Sequence, residues 1–167
     1  MALNKIILGV FGAGRRGKSE TLLLLIDILN NDKTYSEIET RQSHYSENDK
    51  VAIFGKNGFK VGITTMGDYP EAVKNECMKL IENQCDFIVT ATRTKGGTTK
   101  EANRVAKQYG YDAIWFEKNR AVNGWCKEWP ATNENEKFKL NKKSYFNKIN
   151  KLDALFLFEY IDSLIQG

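Results

Sequence analysis

The chain has 167 residues, of which 41% are hydrophobic and 28% charged, with a formal net charge of +4. That length holds one domain with a real core, and the composition is that of an ordinary globular protein. No run reaches the roughly 18 apolar residues of a membrane span, and the mild positive balance permits phosphate-bearing partners without demanding one.

The chain opens on an apolar run, residues 5–11 (KIILGVF). It is continuous rather than alternating, which predicts a strand buried on both faces of a parallel sheet. It is too short for a secretory signal and leads straight to Arg15 and Arg16, so a cytoplasmic protein is expected. Residues 18–30 (KSETLLLLIDILN) place Leu22, Leu25, Ile26 and Leu29 at helical spacing, with Asn30, Asn31 and Asp32 as a stop. Residues 33–50 are polar and show neither period, which predicts a long mobile connection, either a switch, a substrate-gripping arm or a plain surface loop.

Two β-prone runs follow, 51–54 and 59–64, around Lys56, Asn57 and Gly58. Asn-Gly between apolar runs predicts a hairpin, with one antiparallel strand at the sheet edge. Residues 69–83 predict a helix with Pro70 in its first turn, Asp68 near its N-cap, and Ala72, Val73, Cys77, Leu80 and Ile81 on its apolar face. A strand over 86–92, a helix capped by Thr98 or Thr99 and running to Gln108, and a short strand over 113–116 complete the alternation. Beyond Glu117 the chain is polar and basic, carrying Trp125, Trp129, Pro130 and lysines at 137, 139, 142, 143, 148 and 151. Residues 152–165 predict a C-terminal helix. Strands alternating with helices predict an α/β fold: a three-layer α/β/α sandwich around a mostly parallel sheet with an antiparallel edge hairpin, as one domain over 1–167.

Between the first strand and the first helix lie Gly12, Ala13, Gly14, Arg15, Arg16, Gly17, Lys18 and Ser19, matching G-x-x-x-x-G-K-[ST] at every position. Glycines let the backbone curl so that its N–H groups converge on a β-phosphate. Lys18 reaches the β- and γ-phosphates, and Ser19 offers a hydroxyl to Mg²⁺. The helix that starts there adds its positive N-terminal end, with Glu20 in its first turn completing the cofactor-binding run. Arg15 and Arg16 either touch phosphate or face solvent.

This segment resembles the Walker A motif of P-loop NTPases, specifically over the first 30 residues and by architecture beyond them. The resemblance implies a nucleoside triphosphate, ATP in preference to GTP, with Mg²⁺ as cofactor and Lys18 as a catalytic residue. It also implies an acidic residue after a neighbouring strand that helps to hold the metal. Asp68, in the turn TTMGD, is the candidate, so that Ser19 and Asp68 are the expected metal-side residues. The competing readings are that Asp68 only caps a helix, or that Thr64 and Thr65 supply the polar contact. Glu159, in LFLFE, is a weaker candidate because it falls in the terminal helix.

Ligands of open α/β sheets sit at the carboxyl ends of the strands, which selects the loops 93–99 and 117–121. Arg93, Lys95 and Arg120 are the cations placed there to stabilise a transferring phosphoryl group, with Arg93 assigned the catalytic role. Gly96 and Gly97 before Thr98 offer a second, weaker anion-binding start. Residues 150–153 read NKLD, a guanine-reading string in GTPases, but its position suits neither a strand end nor a following base loop, and coincidence is the better reading.

The cysteines, Cys77, Cys85 and Cys126, show no CxxC spacing and are expected to be reduced and structural. With His44 alone, a structural zinc site has too few ligands. The expected function is Mg²⁺-dependent triphosphate hydrolysis coupled to a conformational switch. The alternatives are a kinase with 118–148 as a lid, or a nucleotide-liganded module that binds nucleic acid or protein through the basic C-terminal stretch around Tyr145 and Phe146.

Overall fold

A computed structural model describes residues 4–118 and 136–166. It is an α/β fold whose six strands form one mixed sheet. In chain order the elements are β1 (Ile6–Gly12), α1 (Lys18–Asn31), β2 (Ser36–Gln42), β3 (Lys50–Lys56), β4 (Phe59–Thr64), α2 (Pro70–Glu82), β5 (Phe87–Arg93), α3 (Thr98–Tyr109), β6 (Asp112–Glu117) and α4 (Glu136–Gln166). The sheet order is β2-β3-β4-β5-β1-β6. β4, β5, β1 and β6 pair in parallel, and only β3 runs against its neighbours.

β1 is an interior strand, paired on one side with β5 and on the other with β6, and both of its faces are apolar. Ile7 enters the core under α2 and α3, whereas Leu8 and Val10 enter the core under α1 and α4. On the first face Val73, Cys77 and Leu80 of α2 meet Ala102, Val105 and Ala106 of α3. On the other, Leu22, Leu25, Ile26 and Leu29 of α1 meet Ala154, Leu157 and Ile161 of α4. The helices thus lie in pairs on the two faces, compatible with a three-layer sandwich. The far end of α4 is fastened by Asp162, which accepts from the Tyr35 hydroxyl at 2.9 Å and pairs with Lys56 of β3. Among the described residues no helix is long and apolar enough to cross a membrane.

The Asn57-Gly58 turn forms, with φ of 52° and 83°, and joins β3 to β4. Three expectations need correction. Residues 33–50 are not one long connection, because β2 lies within them and pairs with β3. Its residues are mostly exposed, so no alternation marks it, and a bulge between Glu37 and Glu39 breaks its period. The strand is held by backbone pairing rather than by a buried face. It follows that β3 is not the edge, since β2 lies outside it. Finally, α4 does not begin at 152 but at Glu136. Nothing between 136 and 166 is glycine or proline, so the lysine-rich half has no helix breaker and continues the apolar half.

Candidate functional site

The turn between β1 and α1 is built from backbone that bends left-handed twice, at Arg15 (φ 58°) and Gly17 (φ 80°). Gly17 is the N-cap of α1 and makes no side-chain cap bond, so the first-turn N–H groups of the helix are satisfied by no capping side chain. Glu20 adds a carboxylate in that first turn. The Lys18 side chain folds back along the loop and is 7% exposed, with Nζ donating to the carbonyls of Gly12 and Ala13, each at 2.9 Å. Burial is the main cause that pushes the Lys18 amine below its ordinary value, and the nearby Arg93 adds to it; Asp68 and Glu20 pull the other way without cancelling it.

This loop forms one wall of a cleft of about 250 Å³ lined by residues 14–20 together with Gly67, Asp68, Ala91 and Arg93. The far wall comes from two strand ends. Gly67, just after β4, packs so closely on β5 that a Cβ there would lie 2.4 Å from the Ala91 carbonyl oxygen. That approach puts Asp68 beside Arg93, whose Nε donates to Asp68 Oδ1 at 2.8 Å. Arg93 is in turn held at its backbone. Its N–H donates to Thr98 Oγ1 at 2.7 Å, and the Thr99 hydroxyl donates to its carbonyl at 2.9 Å.

Several sequence-predicted residues therefore meet: Gly14, Arg15, Arg16, Gly17, Lys18, Ser19, Glu20, Asp68 and Arg93 all line one cleft. Some local roles differ from expectation. Asp68 does not cap α2, whose N-cap is Tyr69; its carboxylate is on Arg93. Neither Thr98 nor Thr99 caps α3, whose N-cap is Gly97; both hydroxyls tie the Arg93 backbone instead. Gly96 and Gly97 are both left-handed, at φ 91° and 81°. Lys95 is exposed and does not line the cleft. Arg120, Trp125, Cys126, Trp129, Pro130 and the rest of 119–135 lie outside the described residues, as do the side chains of Lys137, Lys139 and Lys142; of the expected lid, 118–148, residues 136–148 belong to α4. Lys143, Lys148 and Lys151 are exposed on α4.

Beneath the cleft, the Ser19 hydroxyl donates to the Thr65 carbonyl at 3.2 Å. The Thr65 hydroxyl donates to Asp49 at 2.6 Å, a carboxylate with no local signal because it lies in the polar run 33–50, which shows no period. Thr64 is fully buried and its hydroxyl has no hydrogen-bond partner among the described residues. Glu159 is exposed on α4, away from the cleft lining. Asn150 and Asp153, the ends of NKLD, lie inside α4 rather than after a strand, and both contact Lys118. Among the described residues no three His, Cys, Asp or Glu side chains group as a metal site. The buried Cys77 and Cys85 thiols are pushed up to about 12, each mainly by burial, and form no disulfide.

No protein-family model, curated protein or solved structure matches this chain.

Proposed function

We propose that this chain is a P-loop nucleotide-binding protein that holds a magnesium–nucleoside triphosphate, ATP in the first instance, on residues 12–19 and hydrolyses it. One observation carries the reading. The G-x-x-x-x-G-K-S segment lies at a strand–helix junction at the carboxyl end of β1, which pairs in parallel on both sides, and its cleft has a carboxylate and a guanidinium on the opposite wall. A motif match gives the loop alone; Asp68 and Arg93 come from two other strands, and their convergence is independent of the motif.

The chemistry follows from what each group offers. The Lys18 amine exchanges its bonds to the Gly12 and Ala13 carbonyls for phosphate oxygens, a stronger, charge-assisted pairing. The N–H groups at the start of α1 supply the remaining donors. Arg93 stabilises charge that develops on the transferring phosphoryl group. Mg²⁺ keeps several waters and needs only one or two protein oxygens beside the phosphates, so the Ser19 hydroxyl and the Asp68 carboxylate suit it. When bound, the ion neutralises charge on the β- and γ-oxygens.

Calorimetric titration with non-hydrolysable ATP and GTP analogues, with and without Mg²⁺, tests this. Tight Mg²⁺-dependent binding of one base supports it, and binding of neither by the folded chain overturns it. Phosphate release without an added acceptor then separates hydrolysis from transfer to a small-molecule acceptor.

A further inference from the structure

Behind the phosphate loop lies a buried polar cluster that the chemistry above does not use. Lys118 directly follows β6 and is 2% exposed; Asn150 sits midway along α4 and is 4% exposed. The Lys118 amine donates to Asn150 Oδ1 at 2.9 Å and pairs with the Asp153 carboxylate about one helical turn further on. A lysine buried this deeply is costly unless paired, so its location calls for a reason.

The loop supplies one. The Lys118 N–H donates to the Phe11 carbonyl at 2.8 Å, at the entry to the loop. A Cβ on Gly12 would lie 3.3 Å from Lys118 Cβ. At the other end, a Cβ on Gly17 would lie 2.4 Å from Asn150 Oδ1 and 2.7 Å from its Nδ2, so the amide occupies the space a side chain would need. Thr21 closes the contact: its hydroxyl donates to the Gly17 carbonyl at 2.7 Å and lies 3.3 Å from Asn150 Oδ1. The first and last glycines of the motif each rest against one member of a hydrogen-bonded pair, and one member stands on a different element, α4.

We propose that Lys118 and Asn150 are positioning residues that clamp the two ends of the phosphate loop, so that triphosphate affinity depends on the seating of α4. This rests on the phosphate-binding reading of residues 12–19 and adds a determinant to that same site. A cluster that served only to dock α4 would set the stability of the chain and leave the loop as it is. A clamp also sets how often the loop amides open.

The test compares the full chain with Asn150→Ala and with Lys118→Met/Asp153→Leu, the second of which replaces the buried ion pair by apolar groups and is expected to fold with little change in Tm. Three readouts are taken: Tm, backbone hydrogen exchange over 12–21 without ligand, and the Kd for inorganic triphosphate with Mg²⁺. Both variants are expected to exchange about tenfold faster over 12–21 while β1 and β5 stay protected. Both are expected to bind triphosphate about tenfold more weakly well below their Tm. Native loop exchange with native affinity in either folded variant overturns the clamp. A native chain that binds no triphosphate overturns the phosphate reading alone, and the exchange comparison then decides the clamp by itself.

Discussion

Arg93 reaches Asp68 from both Nε and an Nη, each 2.8 Å from the same carboxylate oxygen, in the wall of the cleft that residues 14–20 also line. Both side chains are about half exposed, so the pair contributes little to stability, about 1 kcal/mol or less. Its cost in ordering and its position make sense if the partners are used on a ligand. Asp68→Asn and Arg93→Gln are therefore expected to leave Tm nearly unchanged. Each should lower Mg²⁺-dependent turnover about a hundredfold while weakening nucleotide binding much less. Turnover equal to that of the native chain in folded Asp68→Asn removes the carboxylate from the mechanism.

Lys18 carries the next prediction. Lys18→Ala should abolish triphosphate binding in a chain that stays folded, because the amine is bonded to the loop carbonyls of Gly12 and Ala13. The pH dependence has a definite sign. Burial first, and Arg93 second, hold this amine below the ordinary lysine value. The folded state therefore disfavours the charged form, and the residue's destabilising contribution fades as pH rises from its lowered value to the ordinary one. Phosphate needs the charged form, so affinity should fall as pH rises through the lowered value. A titration of Kd against pH that is flat across the alkaline range would sink this account.

How far the sequence could be read depends on what kind of signal each element carries. β1, α1 and α2 were legible because burial writes itself into apolar runs and periods, as in Leu22, Leu25, Ile26 and Leu29. β2 was not, because backbone pairing holds it and its side chains face water. The lysine-rich half of α4 is not, because its polar residues show no apolar period, although none of them breaks a helix. The site divides in the same way. Lys18 and Ser19 are adjacent in sequence and fall inside one motif. Asp68 is reachable only through the resemblance, which implies an acid after a neighbouring strand, and Arg93 only through the rule that strand ends meet the ligand. Asn150 falls in NKLD, a string whose position already argues for coincidence rather than guanine reading; its partner Lys118 lies 32 residues away, and no local spacing links the two.

Gly67 tests whether the position of Asp68 matters as much as its charge. A Cβ at residue 67 would lie 2.4 Å from the oxygen and 2.5 Å from the carbon of the Ala91 carbonyl, which is strand backbone and gives way only if β4 and β5 part locally. Gly67→Ala is expected to cost about 2 kcal/mol of stability through overpacking. It should also reduce turnover as Asp68→Asn does, by carrying the carboxylate away from Arg93. A variant with lowered Tm and undiminished turnover would show that the close approach serves packing only.

The last prediction concerns acid. Glu76 of α2 has a fully buried side chain, yet it is held below the ordinary glutamate value. Burial alone would raise it; the Arg41 guanidinium at 2.8 Å and the Ser43 hydroxyl at 3.0 Å outweigh that. These partners come from the end of β2 and the turn after it, so one carboxylate ties the edge of the sheet to α2. Because the folded value is depressed, the stabilisation is present above the ordinary glutamate value and is lost as pH falls through the lower folded one. Glu76→Gln keeps the shape but removes the charge that Arg41 faces there, leaving its guanidinium the Glu39 carboxylate and the Gln42 carbonyl, each at 3.1 Å. The variant is expected to lose about 2 kcal/mol at neutral pH and to unfold with a shallower acid limb. Hydrogen exchange should locate the loss in β2 and residues 43–49, while loop 12–19 keeps its triphosphate affinity. An acid limb of native steepness in Glu76→Gln would assign the pH dependence to other carboxylates.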